Sequence, residues 1–381
     1  MLRLLTAGES HGPALTLILD GFPAGVRVST KQIEEELGRR RLGFGRGPRM
    51  KIEADALELI SGVRGGLSLG SPVSMIIRNS EWSKWERVMT HEGEPAGRKL
   101  TEPRPGHADL AGMQKYGFDD ARNVLERASA RETAARTAAG ALAKMFLDEL
   151  GIRLVSHVVA IGPAQASPAL RPGVKDLEAV DASPVRCFDP EAESRMILEI
   201  EAVSAAGDSL GGVFEVIAYG LPPGLGSYVQ PDRRLDSRLA AAVMSIPAIK
   251  GVEIGDGFAV ASLRGTLAHD EIYLDGGKPA RRTDRAGGTE GGMSIGGTIR
   301  LRAAMKPLST LKTPLDTVDM ATGEPAKAFK ERTDVCSVPA AAVVGEAVVA
   351  LVLAEAVLEK FGGDTLGDIQ TAMSAYNSRI S

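Results

Sequence analysis

The chain has 381 residues, of which 44% are hydrophobic and 25% charged, with a formal net charge of −4. This composition predicts a globular protein with a large core, and the acidic pI of about 5.9 argues against a nucleic-acid-binding protein. Cys187 and Cys336 are too few for a disulfide framework and too far apart for a local metal site, so we expect a reduced, cytoplasmic protein. The first residues, MLRLLTAGESHG, lack the features of a secretion signal.

The first half of the chain predicts one strand and two helices. The apolar run at 15–19 predicts a strand that ends in a turn. Ser29 is a good N-cap for a short helix that we expect to end at Gly38. Residues 132–150 have helical spacing, are rich in alanine and end at Gly151, so we expect a helix packed closely against another element.

The second half groups its predicted strands between helices. Short β-type runs predict strands at 153–161, 196–203 and 213–219, followed by a helix at 238–244 and a strand at 298–303. Ser337 begins the last long helix, which ends near 362–363. Its apolar stretch carries Glu346 and Glu355, which argues for a buried core helix rather than a membrane span. Because no regular βαβ alternation appears, the pattern predicts an α+β protein, organised as one domain over 1–381.

The segment RRRLGFGRGPR, residues 39–49, concentrates positive charge in an acidic protein. Five of its eleven residues are Arg and three are Gly. Guanidinium groups match the geometry of phosphate and carboxylate, and glycine lets the backbone approach a ligand. A solvated basic loop and a nucleic-acid patch are alternatives, but the pattern favours a small polyanionic ligand.

Two of the five histidines lie in distinctive contexts. His11 stands between small residues just before the first predicted strand, and His107 lies in an irregular Pro-Gly loop of the kind that presents functional side chains. His91, His157 and His269 are interpreted as structural. No HExxH, paired CxxC or clustered histidines indicate a metal site.

Further segments suit an anion, although each is a weak signal by itself. Small residues and Arg at 126–133 open the alanine-rich helix, and a helix N-terminus favours negative charge. Residues 287–297 contain six glycines, residues 305–310 offer a Lys with two hydroxyls, and 332–334 precede the last helix. The motifs of Rossmann folds and P-loop NTPases are absent from the sequence.

Taken together, these segments resemble the chorismate synthase family over almost the whole chain. The matching motifs, in order, are GESHGPALTLILDGFP, the 39–49 segment, RPGHADLAGMQKYG, ERASARETAARTAAG, IPAIKGVEIGDGF, RAGGTEGGM, AAMKPLST and ERTDVCSVPAA. One departure is Thr333, where the family pattern leads us to expect Ser or His.

The resemblance implies a fold and a reaction. The fold is a β-α-β sandwich with long helices packed between antiparallel sheets, assembled as a homotetramer. The reaction is the last step of the shikimate pathway: a 1,4-anti elimination of phosphate from 5-enolpyruvylshikimate-3-phosphate that gives chorismate and depends on reduced FMN. This substrate carries about three to four negative charges, which would explain the arginines without nucleic acid.

The resemblance also assigns roles to residues at the matching positions. His11 would protonate the departing phosphate, His107 would stabilise the reduced flavin, and Asp334 would assist proton transfer to the flavin. The implied substrate-binding residues are Ser10, Arg40, Arg46, Arg49, Arg131 and Arg332. The implied FMN-binding residues are Arg127, Ala128, Ser129, Pro247, Ala248, Gly291, Lys306, Pro307, Leu308, Ser309, Thr310 and Arg332.

Two questions stay open at the level of sequence. Some family members reduce the flavin with NADPH, for which Arg40 and Arg46 would be the contacts. A flavin oxidoreductase that consumes NADPH with another acceptor is therefore an alternative enzyme. A nucleic-acid-binding module built on the 39–49 segment is an alternative of another class, and it would show a steep dependence on salt. No membrane partner is expected.

Overall fold

The computed structural model describes residues 2–47, 55–331 and 334–380. The amino-terminal part forms an antiparallel sheet and one long helix. Its elements are β1 (Arg3–Ala7), β2 (Ala14–Asp20), α1 (Thr30–Arg41), β3 (Leu57–Ser61), β4 (Val63–Arg64), β5 (Leu67–Ser68) and β6 (Val73–Arg78). The sheet has the order β1-β2-β6-β3. Along β2, Leu15, Leu17 and Leu19 are buried while the residues between them are more exposed, which is the period of two of a strand with one covered face.

The rest of the chain supplies the long helices and a second sheet. The helices are α2 (Trp82–Trp85), α3 (Asp109–Tyr116), α4 (Arg122–Leu125), α5 (Thr133–Asp148), α6 (Leu177–Ala182), α7 (Pro190–Ala206), α8 (Leu235–Met244), α9 (Gly265–Ala268), α10 (Val338–Phe361) and α11 (Leu366–Ile380). The strands are β7 (Arg153–Ile161), β8 (Ala164–Gln165), β9 (Gly212–Gly226), β10 (Ile249–Ile254), β11 (Ile272–Asp275), β12 (Lys278–Arg281), β13 (Thr289–Glu290), β14 (Met293–Met305), β15 (Asp316–Val318) and β16 (Pro325–Lys327). Single 3-10 turns lie at Ala130–Glu132, Val174–Asp176 and Pro231–Arg233, with a longer one at Gly257–Ser262.

The two main sheets enclose a layer of helices. The second sheet has the order β10-β14-β9-β7-β8, with β13 paired to β14, and its pairs are antiparallel. Helix α10 packs on β9 and β7 of this sheet, whereas α5 packs on α10 and on β2 of the first sheet. This arrangement confirms the expected α+β class and the β-α-β sandwich.

The central helices touch because small residues face each other. A Cβ added at Gly140 of α5 would lie 2.4 Å from the Cβ of Ala347 in α10, so the helices could not approach this closely with any larger residue. At Gly345, on the side of α10 that faces the sheet, an added Cβ would lie 2.6 Å from the Phe214 ring. The expectation that the alanine-rich helix packs closely against another element is therefore confirmed.

A buried ionic network crosses this helical layer. Glu346 of α10 has no exposed surface. It accepts hydrogen bonds from Arg39 at 2.8 and 2.9 Å, from Lys144 at 2.8 Å and from the Ser156 hydroxyl at 2.7 Å. The Arg186 guanidinium lies 3.4 Å away. The network thus joins α1, α5, β7 and the 183–187 segment to one carboxylate.

Helix α10 also has the length and composition of a membrane span. An 18-residue stretch of this helix has a mean hydropathy of 2.2, but 78% of that stretch is buried inside the protein. The network at Glu346 lies in its middle. The helix therefore has the burial expected of a core element, as the two glutamates in its sequence predicted.

Several predicted elements match the structure and several do not. The strands predicted at 15–19, 153–161, 213–219 and 298–303 lie within β2, β7, β9 and β14. The predicted strand at 196–203 was wrong, because it lies within α7. In that helix Ala192, Met196 and Ile200 form one buried face at a spacing of four residues. Asp189 caps the helix and Pro190 occupies its first turn.

The helix bounds need two further corrections. Helix α1 does not end at Gly38, so Arg39, Arg40 and Arg41 form its last turn, where positive charge favours the helix C-terminus. The long helix predicted from Ser337 is α10, but a further helix, α11, follows it and was not predicted. The predicted bounds of the alanine-rich helix agree with α5 to within two residues.

We expect Glu346→Gln to lower the free energy of unfolding by about 3–5 kcal/mol at neutral pH, because it leaves buried cations with less compensation. Burial raises the pKa of Glu346, but Arg39, Lys144 and Arg186 lower it well below its usual range overall. The contribution should therefore be present above the unfolded carboxyl pKa of about 4.3 and disappear as the pH falls through the lower folded value.

Denaturant unfolding at several pH values measures this effect. Glu35→Gln on helix α1 is the control, because the Lys31–Glu35 pair is solvent-exposed. If the two variants had equal denaturant midpoints at neutral pH, Glu346 would not be the carboxylate that compensates the buried cations.

Candidate active site

One cavity of about 500 Å³ gathers most of the residues that the sequence analysis selected. A volume of this size is typical of small-molecule sites. The selected residues that line it are Ser10, His11, Arg40, Arg46, His107, Ala128, Ser129, Arg131, Pro247, Ala248, Lys306, Pro307, Leu308, Ser309, Thr310 and Asp334. Helices α5 and α10 both begin next to this cavity, so the packing of the central layer positions its walls.

A buried carboxylate, that of Glu126, holds His11 in place. Its Nδ1 lies 3.0 and 2.9 Å from the two carboxylate oxygens of Glu126, and its backbone N–H donates to Oε2 of the same group at 2.9 Å. Arg122 also donates to Glu126, at 2.9 Å. Burial raises the pKa of Glu126, but the contacts with His11 and the charge of Arg122 lower it overall, so the carboxylate is ionised.

The ring of His11 is also fixed on its face and through its loop. Trp85 stacks on it, with ring centroids 3.9 Å apart. Asn79 donates to the carbonyls of Glu9 and Gly12 at 3.1 and 2.7 Å, which closes the loop around Ser10 and His11. His11 is 7% exposed and its side chain borders the cavity.

His107, which also lines the cavity, has a similar support. Its Nδ1 lies 2.5 Å from Oδ1 of Asp109, a fully buried residue at the start of α3. Arg104 donates to the other oxygen of Asp109 at 2.8 Å and to the Thr310 hydroxyl at 2.9 Å. Burial raises the pKa of Asp109, but hydrogen bonds from His107 and Arg104 outweigh this effect and lower it to about 2. The carboxylate therefore stays charged and fixes the histidine ring.

Two buried arginines share one carboxylate beneath the cavity. Arg131 donates to Asp55 and, through Nε, to Asn79 at 2.9 Å, while Arg40 lies 3.4 Å from the same aspartate. The pKa of Arg40 is lowered to about 10, mainly by burial. The charges of Arg131 and Arg46 also lower this pKa, whereas the charge of Asp55 raises it. Within the described ranges, the buried Nε of Arg40 has no hydrogen-bond partner. This cationic pair suits an anionic ligand.

Arg46 and Asp334 join the 42–47 loop to the start of α10. The Nε of Arg46 lies 3.2 Å from Oδ2 of Asp334, and the backbone N–H of Gly47 donates to Oδ1 at 2.6 Å. The Ser337 hydroxyl donates to the same carboxylate at 2.7 Å. Asp334 thus accepts hydrogen bonds from Gly47 and Ser337, forms an ion pair with Arg46 and lines the cavity.

The 306–310 segment forms another wall. The ammonium of Lys306 donates to the carbonyl of Gly106, and its backbone N–H donates to Ala248 at 2.9 Å. Ala248 has a φ of 69°, which a residue with a Cβ rarely adopts and which is common at ligand sites. Ser209 donates to the Leu308 carbonyl at 2.7 Å and supports the segment from outside. The wall therefore offers an ammonium and two hydroxyls on a braced backbone.

Not every selected residue belongs to this cavity. Arg127 points away and donates to the carbonyls of Gly8 and Thr6 at 3.0 and 3.1 Å, and Gly291, between β13 and β14, is not among the lining residues. Arg49 and Arg332 lie outside the described residues. Arg127 and Gly291 are therefore selected residues that do not line this cavity.

The interpretation of residues 39–49 as a loop compensated by a ligand needs correction. Arg39–Arg41 are helical, and carboxylates of the protein neutralise much of the charge. Arg39 pairs with Glu36, Asp181 and Glu346, while Asp55 lies 3.5 Å from Arg41. In the described part of this segment, Arg40, Arg46 and Gly47 line the cavity.

Sequence reasoning missed the groups that hold the selected residues in place. Asp109 lies two residues after His107 in the same family motif, so a search for carboxylates near that histidine could have found it. Such a signal is absent for Asp55, Asn79, Trp85 and Glu126, because only the fold brings them to their partners in the site.

The charge of the lining is strongly positive. Among the described lining residues, Arg40, Arg46, Arg104, Arg131 and Lys306 are cationic, whereas Glu331 and Asp334 are acidic. Within the same residues, no group of three or more His, Cys, Asp or Glu side chains has the geometry to hold a metal ion. The cavity can thus bind a small molecule with several negative charges and place two histidines against it.

Comparisons with known proteins identify the family. The family model for chorismate synthase matches residues 2–358. The chain is 60% identical to chorismate synthase of Leifsonia xyli subsp. xyli over 100% of this chain and 97% of that protein. It is 58% identical to chorismate synthase of Mycobacterium avium over 100% of this chain and 97% of that one. A crystal structure of chorismate synthase superposes with a TM-score of 0.80 at 42% identity, covering 100% of this chain and 98% of that chain.

These matches run through all the segments that build the cavity and do not favour a flavin oxidoreductase of another kind. The chain therefore belongs to the chorismate synthase family, and its activity is that of a lyase that eliminates phosphate from 5-enolpyruvylshikimate-3-phosphate to form chorismate.

Proposed function

We propose that the elimination takes place in the 500 Å³ cavity and that the cavity also holds reduced FMN. The observation that carries this proposal is the convergence of five cationic side chains and two carboxylate-backed histidines on one small volume. Both proposed ligands are anionic, and charge-assisted hydrogen bonds to arginine are among the strongest polar contacts in proteins.

The residues present fit a flavin mononucleotide. Lys306, Ser309 and Thr310 would hold its phosphate and polar groups, while Pro247 and Ala248 would border the ring. The ammonium of Lys306 already reaches the Gly106 carbonyl beside His107, so one wall would be shared by the flavin and that histidine. When bound, reduced FMN supplies the electron chemistry that the amino acids cannot supply.

The substrate would lie against the opposite, arginine-lined wall. Arg40, Arg46 and Arg131 would bind its carboxylates and phosphate, and Ser10, whose hydroxyl accepts a hydrogen bond from Ser129 at 3.2 Å, would add a neutral contact. The unpartnered Nε of Arg40 within the described chain supports this assignment. We propose that Arg49 and Arg332, which lie outside the described residues, belong to the same set.

The histidines and Asp334 would act on protons. His11 would protonate the phosphate as it leaves, because its Nδ1 is bound to Glu126 and its side chain lines the cavity. His107 would donate to the reduced flavin and stabilise its negative charge. Asp334, held by Arg46, Gly47 and Ser337, would assist the removal of the substrate proton.

Assembly, location and reductant complete the proposal. We propose one domain that assembles as a homotetramer in the cytoplasm. Exposed apolar side chains at Phe258, Ile272 and Leu274 support a self-association surface, and the buried, unpaired thiols of Cys187 and Cys336 suit a reducing compartment. NADPH, held by Arg40 and Arg46, remains a second proposed reductant.

An anaerobic assay with dithionite-reduced FMN tests the function. We expect stoichiometric chorismate and inorganic phosphate from 5-enolpyruvylshikimate-3-phosphate. A parallel reaction with oxidised FMN and NADPH shows whether the chain reduces its own flavin. Steady consumption of NADPH without release of phosphate would instead favour the oxidoreductase.

His11→Ala should slow the chemical step by roughly 10²–10⁴-fold, the usual effect of losing a general acid. Substrate affinity should change much less, because the arginines hold the anion. Single-turnover flavin absorbance at saturating substrate measures the rate. His91→Ala is the control, since that ring stacks on Trp82 outside the cavity lining. A rate near that of the wild type would make His11 structural.

Arg46→Ala should weaken substrate binding by about 1.5–3 kcal/mol, the value of one charge-assisted contact, or roughly ten- to a hundredfold or slightly more in Kd. Titration of substrate in the presence of oxidised FMN measures it. Arg41→Ala removes the same charge nearby from a side chain that does not line the cavity. If both variants lost affinity equally, the effect would be long-range charge rather than contact.

A further inference from the structure

Glu126 contacts both the backbone and the ring of His11. Its carboxylate accepts from the backbone N–H of His11 and lies within 2.9 and 3.0 Å of the ring Nδ1. The Glu126 side chain is 2% exposed, so it is shielded from solvent. Since an ionised carboxylate can only accept hydrogen bonds, Nδ1 must carry a proton.

The groups around this pair reinforce the same arrangement. Arg122 donates to Glu126 Oε1 at 2.9 Å, and Glu331 in turn lies 3.6 Å from Arg122. Trp85 stacks on the His11 ring and also lies beneath the Arg122 guanidinium, 5.2 Å from the ring centroid. Arg122 therefore holds the Glu126 carboxylate in one place. The His11 ring cannot rotate without losing its contacts with both Trp85 and Glu126.

We propose that Glu126 is a positioning residue for the elimination and that it acts through His11. This inference rests on the proposed function of His11. Glu126 keeps a proton on Nδ1, so the proton that His11 transfers to substrate is the one on the other ring nitrogen, Nε2. The two contacts of Glu126 with Nδ1 also hold the ring in one orientation during the transfer.

In the elimination the C–O bond to phosphate breaks and its electron pair leaves with the phosphate oxygen, which takes the proton from Nε2. The ring C–H bond breaks as well, its electron pair enters the new conjugated diene, and its proton leaves with the help of Asp334 as in the proposed function. His11 is left neutral, with its remaining proton on Nδ1 hydrogen-bonded to Glu126. A proton from solvent restores the imidazolium before the next turnover.

A double-mutant cycle tests whether Glu126 acts through His11. Single-turnover rates at saturating substrate are measured for the wild type, Glu126→Gln, His11→Ala and the double variant. Glu126→Gln should slow the wild type by at least about 10-fold, as expected when a supporting carboxylate is lost. In the His11→Ala background it should change the rate by less than about twofold, and substrate Kd should stay within about threefold in every variant.

Glu215→Gln is the matched control. Glu215 is also a buried carboxylate bound to a histidine, with 3.2 Å between its Oε2 and the Nε2 of His157, but neither residue lines the cavity. It should leave the single-turnover rate unchanged even if it lowers Tm. Melting curves of all variants identify any that are unfolded. If Glu126→Gln is among them, Glu126→Asp, whose carboxylate is one methylene shorter, replaces it in the cycle with the same expected coupling.

The outcomes separate this inference from the proposed function. A wild-type rate for His11→Ala would refute the role of His11 itself. A slow His11→Ala together with a fast Glu126→Gln would refute only the positioning role. Equal effects of Glu126→Gln in both backgrounds would show that Glu126 acts independently of His11, and they would also overturn the inference.

Discussion

The close contact between α5 and α10 is the constraint on which the rest of the structure depends. Gly140 and Ala347 allow the helices to touch, and Gly345 allows α10 to lie directly on Phe214 of the larger sheet. Both helices begin at the cavity, where one follows Arg131 and the other follows Asp334. A small error in their packing would therefore change the distance between the walls of the cavity. Because the site is built at the ends of core helices, the packing of the core sets the positions of its residues.

Internal carboxylates let the chain gather so many cations without a ligand. Asp55 holds Arg40 and Arg131, Asp109 holds Arg104, and Asp334 holds Arg46. Each carboxylate satisfies some of the guanidinium donors and fixes the direction of the remaining ones. A polyanion that enters the cavity meets arginines that are already oriented, so less conformational entropy is lost on binding. The same device orients the two histidines, which use Glu126 and Asp109.

This arrangement also explains why the arginine-rich segment was misleading when read by itself. The sequence shows a run of like charges, which suggests a loop waiting for an anion. In the structure Arg39 is a structural residue tied to Glu346, and its neighbour Arg40 faces the cavity. Consecutive residues of a helix point about 100° apart, so one can belong to the core and the next to the site.

The sequence by itself determined the class of the fold, the family and most of the residues that line the cavity. Motifs such as the one around His11 and the one around His107 are local, and a local motif can be read from neighbouring letters. Helix α5 and strand β7 could likewise be predicted, because their patterns agree with their final environments. The strand predicted within α7 was wrong, because a short apolar run does not show whether its hydrophobic residues follow a helical or a strand spacing. The helical spacing becomes visible only over a longer stretch.

Only the tertiary structure decided which groups support the site. The partners of Asp55, Asn79 and Glu126 lie 15 to 115 residues away in the sequence, and Trp85 contacts His11 by ring stacking. Contacts between such distant residues cannot be predicted from a local sequence pattern. Tertiary structure also separated Arg127 and Gly291 from the cavity, although the motifs that contain them lie in order with the rest. Chemistry that depends on residue type can be read from sequence, but orientation and charge compensation depend on which distant segments the fold brings into contact.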